Sequence, residues 1–340
     1  MSIYTVKKVP ANEVDKLEFF IDNHWKKGHA LVKSRALLDF QHLNKEENCY
    51  NFIVAENNET KEYDALVGFI PTSQYDKNLA NYGDYWGAIW KFRDDISNGE
   101  INNAAFYIWK RIFKQPFFQS YAAIGISQIA KRIYEVSRIP VAVLSQYYIA
   151  NESMNEFVIG ENLAKGSTST SAHISTIRVV DIDCIEEVEA TYRPTKSVEY
   201  LKNRYKKHPI YEYIFWGIYT NKLEAVFVVR KVDVGDSCIL RVIDVLGNLA
   251  KIGSIYDDVQ KILTQYGAEY LDFMNFGIEK SIFTQMGFHQ LDLTQNNIIL
   301  PNYFEPFEKR NVTMEVAYKA NYDNYVAFKG DSDQDRPNVL

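Results

Sequence analysis

Cysteine is scarce in this chain of 340 residues, because only Cys49, Cys184 and Cys238 occur and they lie far apart. They form no Cys-x-x-Cys pair, so neither a disulfide framework nor a zinc ribbon is indicated. We interpret them as small buried apolar residues in a protein of the reducing cytoplasm. His24 and His29 have no clear third metal ligand in the sequence, so no metal site is predicted.

Long apolar runs and an excess of basic residues are also missing. No apolar run approaches the ~18 residues that a membrane span needs, and the first residues lack the apolar core of a signal peptide. We therefore expect a cytoplasmic protein without a membrane span. The formal net charge is −6, whereas a nucleic-acid binder presents a basic face to phosphates. No nucleic-acid partner is expected.

The chain does contain enough residues for two domains, and its 24 Tyr and 20 Phe favour β-sheet. A stretch rich in Gly, Ser and Thr, 164–172, is typical of a flexible linker, and a surface loop is the alternative. We predict a first domain over 1–152, a linker over 153–172, and a second domain with a C-terminal tail over 173–340.

Both halves show the same order of predicted elements, β-α-(α)-β-β-β-α-β-α-β. Hairpins followed by βαβ units predict α/β (α+β) domains, each a mixed, mostly antiparallel sheet flanked by helices. The last strand of the first half is predicted over 141–149. In the second half, 185–213 is predicted as a broken helix, and Gly267 is expected to end the helix 255–266.

This order resembles two tandem domains of the GNAT acyltransferase superfamily. The segment 283–288 (FTQMGF) is similar to the short helix ending in Gly-Phe that precedes the sixth GNAT strand, and 134–139 is its counterpart in the first half. Tandem GNAT halves also resemble the Fem-type peptidyl transferases, which move amino acids onto cell-wall precursors.

Four further segments resemble tandem GNAT-like proteins of bacterial polysaccharide biosynthesis, such as that of O-antigen or capsule. They are 23–29 (NHWKKGH), 68–73 (GFIPTS), 90–95 (WKFRDD) and 330–338 (GDSDQDRPN). The resemblance implies acyl or aminoacyl transfer to an amino sugar or a nucleotide-linked sugar. The alternative is a non-catalytic protein that binds a sugar nucleotide or a partner enzyme.

The resemblance also implies an acyl-CoA donor, held by a Gly-rich turn after the fourth strand whose N–H groups bind pyrophosphate. Asn98 and Gly99 occupy this turn in the first half, next to acidic residues that would repel phosphate. The second half offers Gly247, Lys251 and Gly253 at the wrong spacing. Acyl-CoA binding by either half therefore stays open.

Three residues are candidates for proton transfer. Tyr134 occupies the position of the GNAT tyrosine that protonates the leaving thiolate, whereas its counterpart Phe283 cannot donate a proton. Asp244 lies in an apolar strand, where burial raises the pKa of a carboxyl towards that of a useful base. His24 is a third candidate. The alternatives are a packing role on a helix for Tyr134, a carboxylate with a structural partner for Asp244, and a loop or capping role for His24.

Binding candidates surround these residues. Trp25 and His29 lie in the region over which GNAT acceptors bind, Trp90 and Arg93 lie on the fourth strand, and Arg241 lies on the strand of Asp244, facing the opposite side. Trp86 and Trp90 are expected to share one face because their spacing is even. The C-terminal tail contributes the last candidates, and these are Asp335, Arg336 and Asn338. We predict that they close over a ligand or over the other half, and a disordered terminus is the alternative.

Overall fold

The computed structural model describes residues 3–96, 99–294 and 297–338. Within these ranges, sixteen strands form two sheets of eight strands each. In chain order the strands are β1 (Tyr4–Pro10), β2 (Leu43–Asn44), β3 (Cys49–Asn57), β4 (Tyr63–Pro71), β5 (Asp84–Phe92), β6 (Ser120–Ile124), β7 (Val141–Val143), β8 (Ser145–Ala150), β9 (Thr176–Val179), β10 (Ile214–Tyr219), β11 (Leu223–Val234), β12 (Ser237–Gly247), β13 (Ala268–Phe276), β14 (His289–Gln290), β15 (Glu315–Ala320) and β16 (Ala327–Phe328).

Helices cover both faces of the sheets, as the sequence predicts. They are α1 (Val14–Phe20), α2 (Ala30–Lys33), α3 (Arg35–His42), α4 (Gly99–Lys110), α5 (Gln128–Val136), α6 (Val198–Leu201), α7 (Tyr256–Tyr266) and α8 (Lys280–Met286). Gly267 ends α7 at a φ of 62°, which confirms its predicted capping role. The helix predicted over 185–213 is wrong for most of its length, since only α6 and a π turn over Lys202–Lys206 are helical there.

The two halves exchange one strand. The first sheet has the order β1-β3-β4-β5-β6-β15-β7, so a strand from the end of the chain lies between β6 and β7. The second has the order β14-β8-β13-β12-β11-β10-β9, so β8 has left the first half. The strand predicted over 141–149 is thus divided at the buried Leu144, and its two parts belong to different sheets.

Each sheet contains a forked gap between its fourth and fifth strands. The parallel pairing of β5 with β6 stops at Trp86, and that of β12 with β13 stops at Val242, although β5 and β12 both continue. On the other edge of the same strands, the registers with β4 and β11 shift just beyond these residues, as in a β-bulge. A bulge bends its strand and breaks the ladder, which leaves the fork open.

A shared core holds the halves together. Trp86 and Ala122 of the first sheet pack in one buried cluster with Val228 and Ile243 of the second, and Tyr200 of α6 completes it. The predicted linker also packs, because Thr168 Oγ1 donates to the carbonyls of Thr284 and Phe288 at 3.1 and 2.8 Å. No helix of the described residues is both apolar and long enough to cross a membrane.

Candidate functional site

A cavity of about 350 Å³ opens at the fork of the first sheet. Its walls include Ile89 and Trp90 from the bulged end of β5, and Ala123 and Ile124 from the end of β6. Both strands contribute because their pairing has stopped by this point. The fork therefore exposes residues of both strands to one cavity.

The second half and the C-terminal segment supply the other walls of this cavity. Arg230 of β11 and Arg241 of β12 line it, together with Tyr303 and Glu305 from the loop before β15. The C-terminal segment, residues 327–338, contributes the charged side chains of Lys329, Asp333, Asp335 and Arg336. The cavity consequently lies between the halves and is incomplete without either of them.

The same C-terminal segment fills the fork of the second sheet. Strand β16 pairs with β13, with Phe328 opposite Asn275. On the other side, the Gly330 N–H donates to the carbonyl of Ile243 on β12 at 2.7 Å. Protein backbone thus occupies the gap that remains open in the first sheet.

A buried ionic cluster anchors this segment. Lys196 Nζ lies 2.5 Å from Asp244 Oδ1 and 2.7 Å from Asp331 Oδ1, and Tyr205 donates to the second oxygen of Asp244 at 2.6 Å. Asp244 is fully buried and does not line the cavity. The structure therefore gives Asp244 the alternative role, that of a carboxylate with structural partners in the buried ionic cluster.

Beyond the anchor, the segment crosses into the first fork. Ser332 Oγ donates to the carbonyl of Gly87 on β5, and Gln334 Nε2 donates to the carbonyl of Ile124 on β6 at 2.8 Å. The next residues line the cavity, including the predicted Asp335, Arg336 and Asn338. Three candidates are thus brought together by a segment that bridges both forks.

Most charges on the cavity wall are already paired. Arg230 lies 2.8 Å from Asp335, and Arg241 lies 2.6 Å from Asp272. Burial alone would raise the pKa of Asp335. The Arg230 guanidinium and the hydroxyl of Tyr213, which donates to Asp335, outweigh burial and lower this pKa. Arg241 and Asp244 have separate partners. The prediction that they face opposite sides assumed regular alternation, which is wrong here, because the register of β12 with β11 shifts between Val242 and Asp244.

Lys329 is the exception, and sequence reasoning missed it. Its side chain lines the cavity at 6% exposure, and its Nζ lies 3.8 Å from the sulfur of Met314. Burial, assisted by the guanidiniums of Arg241 and Arg230, lowers the pKa of Lys329 from 10.5 to about 7. A lysine directly after the apolar run 325–328 (YVAF) was the signal available in the sequence.

Tyr134 also reaches the cavity, from α5. Its hydroxyl lies 3.0 Å from that of Tyr121 on β6, and only 2% of the residue is exposed. Burial and the neighbouring Tyr121 raise the pKa of Tyr134 well above its ordinary value. The hydroxyl therefore keeps its proton at neutral pH, which is the state that a proton donor requires.

Two tryptophans contribute aromatic surface to the cavity. Trp25, 44% exposed, lies at its edge, and Trp90 lines it while stacking on Trp109. The expectation that Trp86 and Trp90 share a face is wrong, because Trp86 packs between the halves and Trp90 against α4. The bulge in β5 lies between them and reverses the alternation of side chains.

Besides Asp244, three catalytic or binding candidates do not line the cavity. His24 packs on the rings of Phe19 and Phe20. His29 caps α2 by accepting from the Leu31 N–H at 3.2 Å, and burial lowers its pKa to about 3. Arg93 is bound by carboxylates, and these are Glu62, Asp64 and Asp95. No free guanidinium remains there to clamp a diphosphate.

Where the structure describes them, the residues of the two predicted acyl-CoA turns do not line the cavity, and those of the second half make contacts within the protein. Asn98 lies outside the described residues, and Gly99 is the exposed first residue of α4. In the second half, the Gly253 N–H donates to Ser175 Oγ at 2.9 Å, and Lys251 pairs with Glu189. A Cβ on Gly247 would lie 2.4 Å from the backbone of the facing strand, so close strand packing explains this glycine.

Comparison with known proteins places the fold. No protein-family model and no curated protein sequence matches the chain. It is similar to a solved probable N-acyltransferase of Enterococcus faecalis V583, with 10% identity over 92% of this chain and 72% of the other, at a TM-score of 0.52. A GCN5-related N-acetyltransferase of Anabaena variabilis ATCC 29413 is similar too, with 9% identity over 92% and 72%, at a TM-score of 0.51. The predicted fold of two tandem GNAT-like domains is thereby confirmed.

Proposed function

We propose that this chain is an acyltransferase that moves an acyl group from acyl-CoA to an amine in the cavity of the first fork. The observation that carries the proposal is the open gap between β5 and β6, which leads into a cavity beside a protonated tyrosine. The second half offers no such gap, because β16 occupies its fork. We assign transfer to the first half alone.

Each wall of the cavity supports one part of the chemistry. The bulged end of β5 provides backbone dipoles near the point where a thioester carbonyl would lie, and such groups stabilise a developing oxyanion. The Tyr134 hydroxyl can protonate a leaving thiolate. Residues of the C-terminal segment form the opposite wall of the cavity, and a bound substrate that displaces water would strengthen these interactions.

For the acceptor, we propose an amino sugar or a nucleotide-linked amino sugar, used in the cytoplasm for a surface polysaccharide. Support comes from the resemblance of the segments quoted above and from Trp25 and Trp90, since aromatic faces suit sugar rings. Asn338 and Glu305 add polar contacts at the same cavity. A Fem-type transfer from aminoacyl-tRNA has less support, because the net charge is −6.

Ligand-induced stabilisation and transfer assays test the proposal together. We expect acetyl-CoA to raise the melting temperature, with a stabilisation of about 2.7 kcal/mol at a concentration 100-fold above Kd. Acetyl transfer should appear in a panel of amino sugars analysed by mass spectrometry. Tyr134→Phe should lower turnover at least tenfold while the protein stays folded, and Tyr107→Phe on the exposed face of α4 should leave turnover unchanged. Stabilisation by UDP-glucosamine alone, without transfer, would favour the binding-protein alternative.

A further inference from the structure

We propose that Lys329 is the group that accepts the proton of the acceptor amine during acyl transfer. This inference rests on the proposed function, because it assigns a role within the same cavity. It adds to that function the group that removes a proton from the acceptor ammonium, which must become a free amine before it can attack.

The position of Lys329 is set by backbone pairing on both sides. Its predecessor, Phe328, pairs with Asn275, and its successor, Gly330, donates to Ile243. The lysine side chain leaves this short strand towards the first half and lines the cavity there. Strand pairing in one half thus fixes a reactive group in the fork of the other.

The surroundings of Lys329 favour a neutral amine. The charged groups that act on it are Arg230 of β11, Arg241 of β12, Asp272 of β13 and Asp335 of the C-terminal segment. Both carboxylates lie within salt-bridge distance of a guanidinium, and this weakens their hold on an ammonium. With a pKa of about 7, roughly half of the amine is free base at neutral pH.

The step balances as follows. The ammonium of the acceptor transfers one proton to the lone pair of Lys329 Nζ, and the free amine attacks the thioester carbonyl. The C–N bond forms, the C–S bond breaks, and the sulfur takes the bonding pair. A second proton leaves the nitrogen and the thiolate is protonated through Tyr134, whereas Lys329 releases its proton to water. The sum is an amide, a thiol and one proton.

Competitive labelling with acetic anhydride tests the state of the amine without needing a substrate. Neutral amines react, so at pH 7 the free-base fraction of Lys329 should exceed that of an ordinary lysine by on the order of 10³-fold. Peptide mass spectrometry across pH 5–10 should give a midpoint near 7 for Lys329, with the peptide of the exposed Lys222 as the reference amine in the same digest. A midpoint near 10 would contradict the proposal, and so would absence of labelling, because an acceptor must reach the same nitrogen.

Two substitutions separate proton transfer from simple charge. Lys329→Arg keeps a cation that cannot deprotonate near neutral pH, so kcat/KM for acetyl transfer should fall at least 100-fold, and its acidic limb near pH 7 should disappear. Lys222→Arg is the matched control and should leave both unchanged. If Lys329→Arg retains activity, the base role fails while the proposed function stands. If the unmodified protein transfers no acetyl group to any amine, the proposed function fails, and the base role fails with it.

Discussion

The ammonium of Lys196 lies 2.7 Å from the carboxylate of Asp331, and neither side chain is more than 4% exposed. This pair joins the irregular segment before α6 to the C-terminal segment, and Asp244 of β12 accepts from the same ammonium. Because the C-terminal segment then enters the first fork, the pair also determines how the cavity is walled.

We expect Lys196→Met to destabilise the protein by about 3–5 kcal/mol, because it leaves two buried carboxylates without their cation. Urea denaturation measures the loss. Lys206→Met provides the control, since Lys206 also contacts two carboxylates but lies at the surface, and its loss should have little measurable effect. Equal effects of the two substitutions would argue against an anchoring role.

The stability difference between Lys329→Met and the unmodified protein should depend on pH. The pKa of Lys329 is about 7 when folded and 10.5 in the reference state, so between these values the unfolded chain binds more protons and stability rises with pH. Methionine removes this dependence. We expect the advantage of the variant to be largest below pH 7 and to shrink towards pH 10, by at most about 1.4 kcal/mol per pH unit. A constant difference would show that Lys329 keeps its proton.

Gly87 should not tolerate a side chain. A Cβ there would lie 2.3 Å from the Tyr121 hydroxyl and 3.1 Å from Ala123, so we expect Gly87→Ala to cost about 1–3 kcal/mol and to displace Tyr134 through its contact with Tyr121. Combining it with Tyr121→Phe should recover part of that stability, because the closest atom is gone. Thermal unfolding of the two single variants and the double variant measures the coupling.

Trp25→Ala separates binding from folding. The residue is 44% exposed at the edge of the cavity, so the free energy of unfolding should change by less than about 0.5 kcal/mol. If the indole contacts the sugar acceptor, KM for the acceptor should rise about tenfold with little change in kcat. Phe106→Ala, which removes a similarly exposed ring away from the cavity, should leave KM unchanged.

The sequence contained enough information to predict the elements of the fold but not all of their partners. Alternation and turn residues predict strands such as β10, β11 and β12. The exchange of β8 and β15 could not be predicted from the sequence, because periodicity indicates a strand and its two faces but not the sheet that the strand joins. A division into consecutive domains therefore assigns both β8 and β15 to the wrong sheet.

The candidate site was predictable only in part, for the same reason. Tyr134 was found through its place in the GNAT order, and it lines the cavity. Asp244 looked like a buried base, yet its cation is Lys196, 48 residues away in sequence. Lys329 was missed, because its burial arises from the C-terminal segment that runs between the halves.

A crystal structure of the protein with acetyl-CoA tests the central claim most directly. We predict one CoA per chain, with its pantetheine arm between β5 and β6 and its thioester beside Ile89, Tyr134 and Lys329. The second fork should still contain β16. Electron density for the arm between β12 and β13, with β16 displaced, would contradict the account.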